Sequence, residues 1–176
     1  MKRSQEEWDA LFKKRIELLP PEDFLVEYQS LLKRPRVLDL ACGDGRNAFY
    51  LAELGFQISA VDFSEVALNK INARSNSNIR TILGDLSKPE IIETLDSFDS
   101  IIINHFIPPR EIFLHLLTKL NRGGHLLFTA FREDLEMSDL LSSCKGNISF
   151  LEAEAVVDKL YSNSWGEFRG LIFKKR

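Results

Sequence analysis

The sequence predicts an α/β protein: a mostly parallel sheet covered by helices on both faces and closed by an antiparallel hairpin. Three observations predict it. Five short apolar runs alternate with segments of helical periodicity, the pattern of parallel strands joined by crossover helices. The residues that interrupt this pattern (Gly43 and Gly45, Asp62, Asp85, Asn104 and His105) all fall just past the C-terminal ends of those runs. Near the end of the chain, residues 155–161 and 168–174 flank Ser162-Asn163-Ser164-Trp165-Gly166, a loop short enough to require antiparallel neighbours.

The elements follow in order. Ser4 and Glu7 have capping-box spacing, and Trp8, Leu11, Phe12, Ile16 and Leu19 keep helical spacing, which predicts an amphipathic helix over 4–18 with Trp8 and Phe12 in the core. Pro20 and Pro21 end it and open a second helix with Phe24, Tyr28, Leu31 and Leu32 on one face. These helices of residues 1–34 either pack on the sheet or cap a cleft. Val37 to Leu40 is the first strand, and after the glycine turn Ala48, Leu51, Ala52 and Leu54 mark a helix. Residues 56–61 form the second strand and end at Asp62, with Ser64 as the better cap for the helix through Leu68 and Ile71. Residues 79–83 form the third strand, 89–95 a short helix and 98–103 the fourth strand, whose unbroken apolar run places it centrally. Residues 110–120 form a helix with Ile112, Leu116 and Leu120 at spacing four, Asn121-Arg122-Gly123-Gly124 a turn, and 125–131 the fifth strand. Leu135, Leu140 and Leu141 point to a helix ending near Cys144, and 147–151 is a further candidate strand.

Composition narrows the function. A chain of 176 residues suits a single domain over 1–176 with a real core. A net charge of -3 argues against broad phosphate-driven nucleic-acid binding, and Lys174-Lys175-Arg176 reads as a solvated terminus. Cys42 and Cys144 are too few and too isolated for a disulfide framework, which fits a reducing, cytoplasmic compartment. The N-terminus lacks the apolar run of a signal peptide, and no apolar stretch approaches the roughly 20 residues of a membrane helix.

The chemistry centres on Val37-Leu38-Asp39-Leu40-Ala41-Cys42-Gly43-Asp44-Gly45-Arg46-Asn47-Ala48, a strand, a glycine turn and a helix start. Glycine allows a ligand to approach the backbone closely, and the free N–H groups of a helix start favour an anionic or polar ligand group. In parallel sheets ligands bind beyond the carboxyl ends of the strands, where strand order reverses. Asp62 at the end of the second strand sits where a ribose offers its hydroxyls; its structural alternative is a helix cap. His105 stands at the proposed site mouth, where it takes a proton from an acidic substrate or serves only to orient and pack. His115 in a helix and His125 at a strand start read as structural or surface residues. No nucleophilic triad and no metal-ligand spacing appears.

The same stretch resembles the first motif of class I S-adenosylmethionine-dependent methyltransferases. Its continuation through Leu51-Ala52-Glu53-Leu54-Gly55 to Val61-Asp62-Phe63-Ser64 is similar to small bacterial members related to the tellurite-resistance and thiopurine methyltransferases, and Asn121-Arg122-Gly123-Gly124 looks like the family's turn before the fifth strand. The resemblance spans roughly residues 35–131. It implies the Rossmann-like class I methyltransferase fold, a three-layer αβα sandwich with a mostly parallel seven-stranded sheet ending in an antiparallel hairpin. It implies S-adenosylmethionine as cofactor, S-adenosylhomocysteine as product, and no metal. It also implies roles. Asp39 orients the glycine turn near the cofactor's amino group, and Ala41, Gly43 and Gly45 place backbone against the methionine part. Asn47 belongs to this binding set and stands where many members carry a third glycine. Asp62 accepts from the ribose hydroxyls, Phe63 lies against the adenine, Asp85 accepts from the adenine amino group, and Leu86 donates its backbone N–H. Asn104 and His105 reach the methionine end or the substrate.

The activity implied is methyl transfer by in-line displacement to a small-molecule acceptor, since residues 132–155 leave little room for a large substrate domain. The alternative is a methyltransferase-like protein that binds the cofactor without catalysis, as a partner-binding or regulatory module. A loose NAD pattern, Gly43-x-Gly45-x-x-Ala48 with Asp62, is disfavoured by Asp39 and by the ordered acidic positions. A purely structural domain leaves the polar strand ends unexplained. Oligomeric state and acceptor atom stay open.

Overall fold

The computed structural model describes residues 3–131 and 153–176. The expected helix around Leu135, Leu140 and Leu141, the candidate strand 147–151 and Cys144 lie outside these residues. The strands are β1 (Arg36–Leu40), β2 (Gln57–Asp62), β3 (Ile79–Leu83), β4 (Phe98–Asn104), β5 (Leu120–Phe131), β6 (Ala153–Asn163) and β7 (Gly166–Lys175). They form one seven-stranded sheet in the order β3-β2-β1-β4-β5-β7-β6. The pairs β3–β2, β2–β1, β1–β4 and β4–β5 are parallel. β7 runs antiparallel to both β5 and β6, so the chain closes in the expected hairpin with one strand opposed to the rest. Strand order reverses between β1 and β4, and Leu38 and Leu40 of β1 pair with β2 on one side and β4 on the other.

The helices are α1 (Gln5–Lys14), α2 (Asp23–Tyr28), α3 (Arg46–Glu53), α4 (Glu65–Ala73), α5 (Pro89–Glu93) and α6 (Arg110–Lys119). Alternation along the strands sorts the core into two layers. On one face Leu38, Leu40, Ile101, Ile103, Leu126 and Phe128 meet Ile92 of α5 and Ile112, Phe113, Leu116 and Leu117 of α6. On the other, Val37, Ile58, Ala60, Ile102, Leu127 and Ile172 meet α2, α3 and α4 through Phe24, Leu25, Leu51 and Ile71. β4 sits fourth of seven with helices on both faces, which is why its sequence is an unbroken apolar run. Each such fully buried side chain contributes roughly 1.5–3 kcal/mol.

Several boundaries differ from the sequence reading. The first helix carries the expected Ser4–Glu7 capping box but ends at Lys14 rather than residue 18. There the Lys70 amine bonds the carbonyls of Phe12 and Arg15, and Arg15 turns out to Asp44. The second helix stops at Tyr28 and passes into a 3-10 turn, Gln29–Leu31. β5 begins at Leu120, five residues early, because Leu120 pairs with Phe98 and His125 with Ser100. The expected turn at 121–124 survives as the irregularity between those two pairs, with Gly123 in the left-handed region at φ 72°. Ser64 caps α4, as its spacing predicts, accepting from the Ala67 N–H at 3.1 Å. Phe12 is buried, while Trp8 is half-buried and stacks on it with ring centroids 5.6 Å apart. Among the described residues no helix is long and apolar enough to cross a membrane.

Candidate active site

The carboxyl ends of β1, β2 and β4 converge at the glycine turn. Residues 41, 43 and 45 of that turn all adopt positive φ, at 55°, 56° and 91°. The middle and last of these suit glycine; at Ala41 the conformation is strained, as is common at functional sites. Both glycines also have protein neighbours. A Cβ on Gly43 would lie 3.2 Å from the Phe12 ring of α1, and one on Gly45 2.8 Å from the Ile71 side chain of α4.

Asp39 lies on β1, 1% exposed, and neither carboxylate oxygen has a hydrogen-bond partner among the described residues. Burial dominates its titration and pushes it up to about 8, against the lowering pull of Arg46 and with a further push from Asp62. A buried carboxylate without donors is costly, and a cationic N–H group placed against it would relieve that cost. The amino group of a bound amino-acid moiety is such a group, so the residues present fit the cofactor implied by the sequence.

Asp62 ends β2 and holds the turn itself. Its Oδ2 accepts the Gly43 N–H at 2.8 Å and its Oδ1 the Ser64 N–H at 2.9 Å. Burial raises its carboxyl, and the N–H groups of Ser64, Gly43 and Phe63 pull in the opposite direction. Each oxygen keeps a second lone pair for a ligand hydroxyl. Asp62 is thus more engaged with protein than the sequence reading expected, although not as a helix cap.

Beyond β2 and β3, a cleft of about 270 Å³ is lined by Gln5, Phe63, Glu65, Leu83, Gly84, Asp85 and Lys88. Asp85 accepts from the Ser87 N–H and hydroxyl at 3.0 and 2.7 Å, and these bonds hold its carboxyl below the usual range. Leu86 is buried in the α5–α6 layer. Gln5 of α1 donates to the Phe63 carbonyl at 3.1 Å, and Ser64 donates to Asp9 at 2.5 Å, so α1 borders this cleft.

At the end of β4, Asn104 accepts from the Thr129 hydroxyl at 3.0 Å while its buried Nδ2 has no partner among the described residues. His105 follows in the left-handed region, φ 57°, with its N–H bonded to the Thr129 carbonyl at 2.9 Å. Its ring lies 5.2 Å from Phe131 and 5.0 Å from Phe168. Its Nε2 is 2.5 Å from Glu22 Oε2, and its Nδ1 is buried without a partner among the described residues.

Glu22 is the residue that sequence reasoning missed. It is 2% exposed at the N-cap of α2, yet its side chain caps nothing there. Instead it accepts from Arg46 at 2.8 Å and from the Tyr161 hydroxyl at 2.7 Å, besides facing His105. Burial pushes its carboxyl up, but the His105 and Tyr161 hydrogen bonds and the Arg46 charge prevail, and it lies below the usual range. Asn47, expected among the cofactor residues, accepts the Glu22 backbone N–H at 2.9 Å. The local signal was slight: one carboxylate between Pro20-Pro21 and the apolar Phe24-Leu25. The other histidines match their expected places, His115 exposed on α6 and His125 buried at the sheet's far end. The Cys42 thiol is buried and pushed well up by that burial, which keeps it protonated and unreactive.

Comparison with known proteins agrees with this geometry. The chain is 28% identical over 158 residues to a Haemophilus influenzae protein named "probable S-adenosyl-L-methionine-dependent methyltransferase TehB", covering 86% of this chain and 54% of that relative. The chain thus spans about half the relative's length. The crystal structure of TehB from Haemophilus influenzae superposes with a TM-score of 0.69 at 18% identity, covering 97% of this chain and 68% of that one. The magnesium protoporphyrin IX methyltransferase of Synechocystis PCC 6803, solved with S-adenosylmethionine bound, gives 0.64 at 16% identity, covering 98% and 79%. These two likenesses establish the fold as that of the Rossmann-like methyltransferases. The family model of tellurite resistance protein TehB matches residues 5–168, and the chain belongs to that family.

Proposed function

We propose that the protein is an S-adenosylmethionine-dependent methyltransferase that acts on a small-molecule acceptor. The observation that carries this reading is the buried Asp39 carboxylate, lacking any hydrogen-bond donor among the described residues, beside a turn with three left-handed residues. When bound, the cofactor supplies a methyl group on a sulfonium centre, activated for in-line displacement with a neutral thioether leaving.

The chain's own residues bind and align. Asp39 neutralises the ammonium group, and the backbone of Ala41, Gly43 and Gly45 borders the methionine part. Asp62 accepts from the ribose hydroxyls through its remaining lone pairs. Phe63, Asp85 and Leu86 border the adenine, in the cleft that Phe63 and Asp85 line. Asn104 and His105 face the acceptor. With the methyl group already activated, the protein contributes mainly orientation and exclusion of water. The family's name makes tellurite one acceptor to examine, beside organic small molecules such as those methylated by related enzymes.

Isothermal calorimetry tests the reading. Saturable one-site binding of S-adenosylmethionine and S-adenosylhomocysteine, with none of NAD, is the expected result. Binding of NAD in their place would overturn it.

A further inference from the structure

The glycine turn is covered by the N-terminal segment. The Phe12 ring of α1 fills the face of Gly43 on which a Cβ would stand, 3.2 Å away. Arg46, whose charge acts on Asp39, donates to the Pro20 carbonyl at 3.3 Å, which draws the end of the α1–α2 linker onto the start of α3. Both Asp39 carboxylate oxygens are enclosed by protein. A ligand ammonium group reaches them only if some covering segment moves.

α1 is built to be that segment. Among the described residues, no side chain of α1 belongs to either core layer, whereas Phe24 and Leu25 of α2 do. Phe12 is its one buried residue. The other ties of α1 are polar. Gln5 donates to the Phe63 carbonyl, Ser64 to Asp9 and Arg15 to Asp44, and the Lys70 amine bonds the carbonyls of Phe12 and Arg15. Bonds of this kind exchange for bonds to water at small net cost, unlike the contacts of a packed core. Between α1 and the anchored α2 runs a linker with Ile16 89% exposed and Glu17 exposed beside it, a place to pivot. The lifted state also has a resting place for Lys70. Asp44 Oδ2 is buried with no hydrogen-bond partner among the described residues, and the Lys70 amine stands 3.8 Å from it. Freed from the α1 carbonyls, that amine closes on Asp44 and replaces Arg15 as its counter-charge.

We infer that α1 is an autoinhibitory strap, latched by Arg15 on Asp44, that keeps the cofactor from the glycine turn until it lifts on the 16–19 linker. This rests on the methyl-transfer reading above. The strap lowers the apparent affinity by the fraction of molecules in which it is open, so loosening it tightens binding. A helix that served to hold the cofactor would do the opposite.

The test uses the full chain, with Arg15→Ala loosening the latch and Asp9→Ala loosening the other end of α1, away from the turn. Hydrogen exchange without any ligand comes first. Amides of α1 should exchange by local opening, well before those of α4, and faster still in both variants with α4 unchanged. Exchange of α1 only together with α4 overturns the strap. S-adenosylhomocysteine is the second probe. Trp8, which stacks on Phe12 in α1, reports the motion by fluorescence once the other tryptophan is removed by Trp165→Phe. The association rate in the parent should level off at high ligand concentration, as expected where opening precedes binding. Each variant should raise that plateau and bind about three- to tenfold more tightly. Unchanged or weaker binding in the variants overturns the inhibition, and if one variant does not fold the other decides. Absence of S-adenosylhomocysteine binding in every form overturns the methyl-transfer reading instead, and hydrogen exchange still reads the opening of α1 separately.

Discussion

Tyr161 donates its hydroxyl to Glu22 at 2.7 Å across 139 residues of chain. The contact belongs to a seam between the α2 segment and the closing hairpin. Lys159 bonds Glu27 at 2.6 Å, Asn163 bonds Asp23 at 2.9 Å, and Tyr161 stacks on Phe24 with centroids 5.5 Å apart. Phe24 in turn lies directly over Gly170 of β7, where a Cβ would overlap its ring. The N-terminal segment is thereby fastened across the sheet, and it carries Glu22 to His105.

This seam predicts a contrast between two glycines. Gly170→Ala should destabilise by about 2–3 kcal/mol, because the Phe24 ring must move out of a packed layer. Gly123→Ala places its methyl in open space and should cost only about 1 kcal/mol, from its left-handed backbone. Denaturant midpoints of the two variants check the order, and equal losses would contradict the placement of Phe24.

Asp39 makes stability depend on pH. Its folded pKa, about 8, lies above its unfolded value near 4, so between them the folded state holds the extra proton. The unliganded protein should therefore lose stability as pH rises from about 4 to about 8, on the order of a few kcal/mol, with Asp62 acting in the same direction. Asp39→Asn should flatten that dependence and weaken S-adenosylmethionine binding. Urea unfolding at several pH values measures the slope; an unchanged slope in the variant would show that Asp39 is not the cause.

Asp62→Ala removes both the ligand acceptor and the carboxylate that holds Gly43 and Ser64. S-adenosylmethionine affinity should fall at least about 100-fold, equivalent to losing roughly 3 kcal/mol of charge-assisted hydrogen bonding. Far-UV circular dichroism should show the fold retained. Calorimetry decides, and normal affinity would sink the ribose assignment.

Ile102 is fully buried on the central strand, facing the layer of α2, α3 and α4. Ile102→Ala should destabilise by about 3 kcal/mol through lost contacts and the cavity left behind. A loss under 1 kcal/mol would argue against the packing of that layer.

The architecture was legible because its signals are local. Apolar runs of strand length, the 3.6-residue period of α4 and α6, the Ser4–Glu7 box, the Ser64 cap and the loop 162–166 each depend on neighbours in sequence. The mostly parallel seven-stranded sheet and its closing hairpin followed from the family resemblance and the loop chemistry, and β4 declared its central place by being apolar on both faces, while the strand order came from the structure. The positions of Asp39, the glycine turn, Asp62, Asp85 and His105 were readable for the same reason: the alternation of strand and helix brings the carboxyl ends of the parallel strands β1 to β5 to one edge of the sheet. What surrounds them was decided by tertiary structure. That Asp39 has no donor among the described residues, that Asp62 is bonded to Gly43, that the Gly43 face meets Phe12 and that Glu22 collects Arg46, His105 and Tyr161 are relations between residues distant in sequence. A buried charge is defined by what the rest of the chain places around it, and no local pattern carries that information.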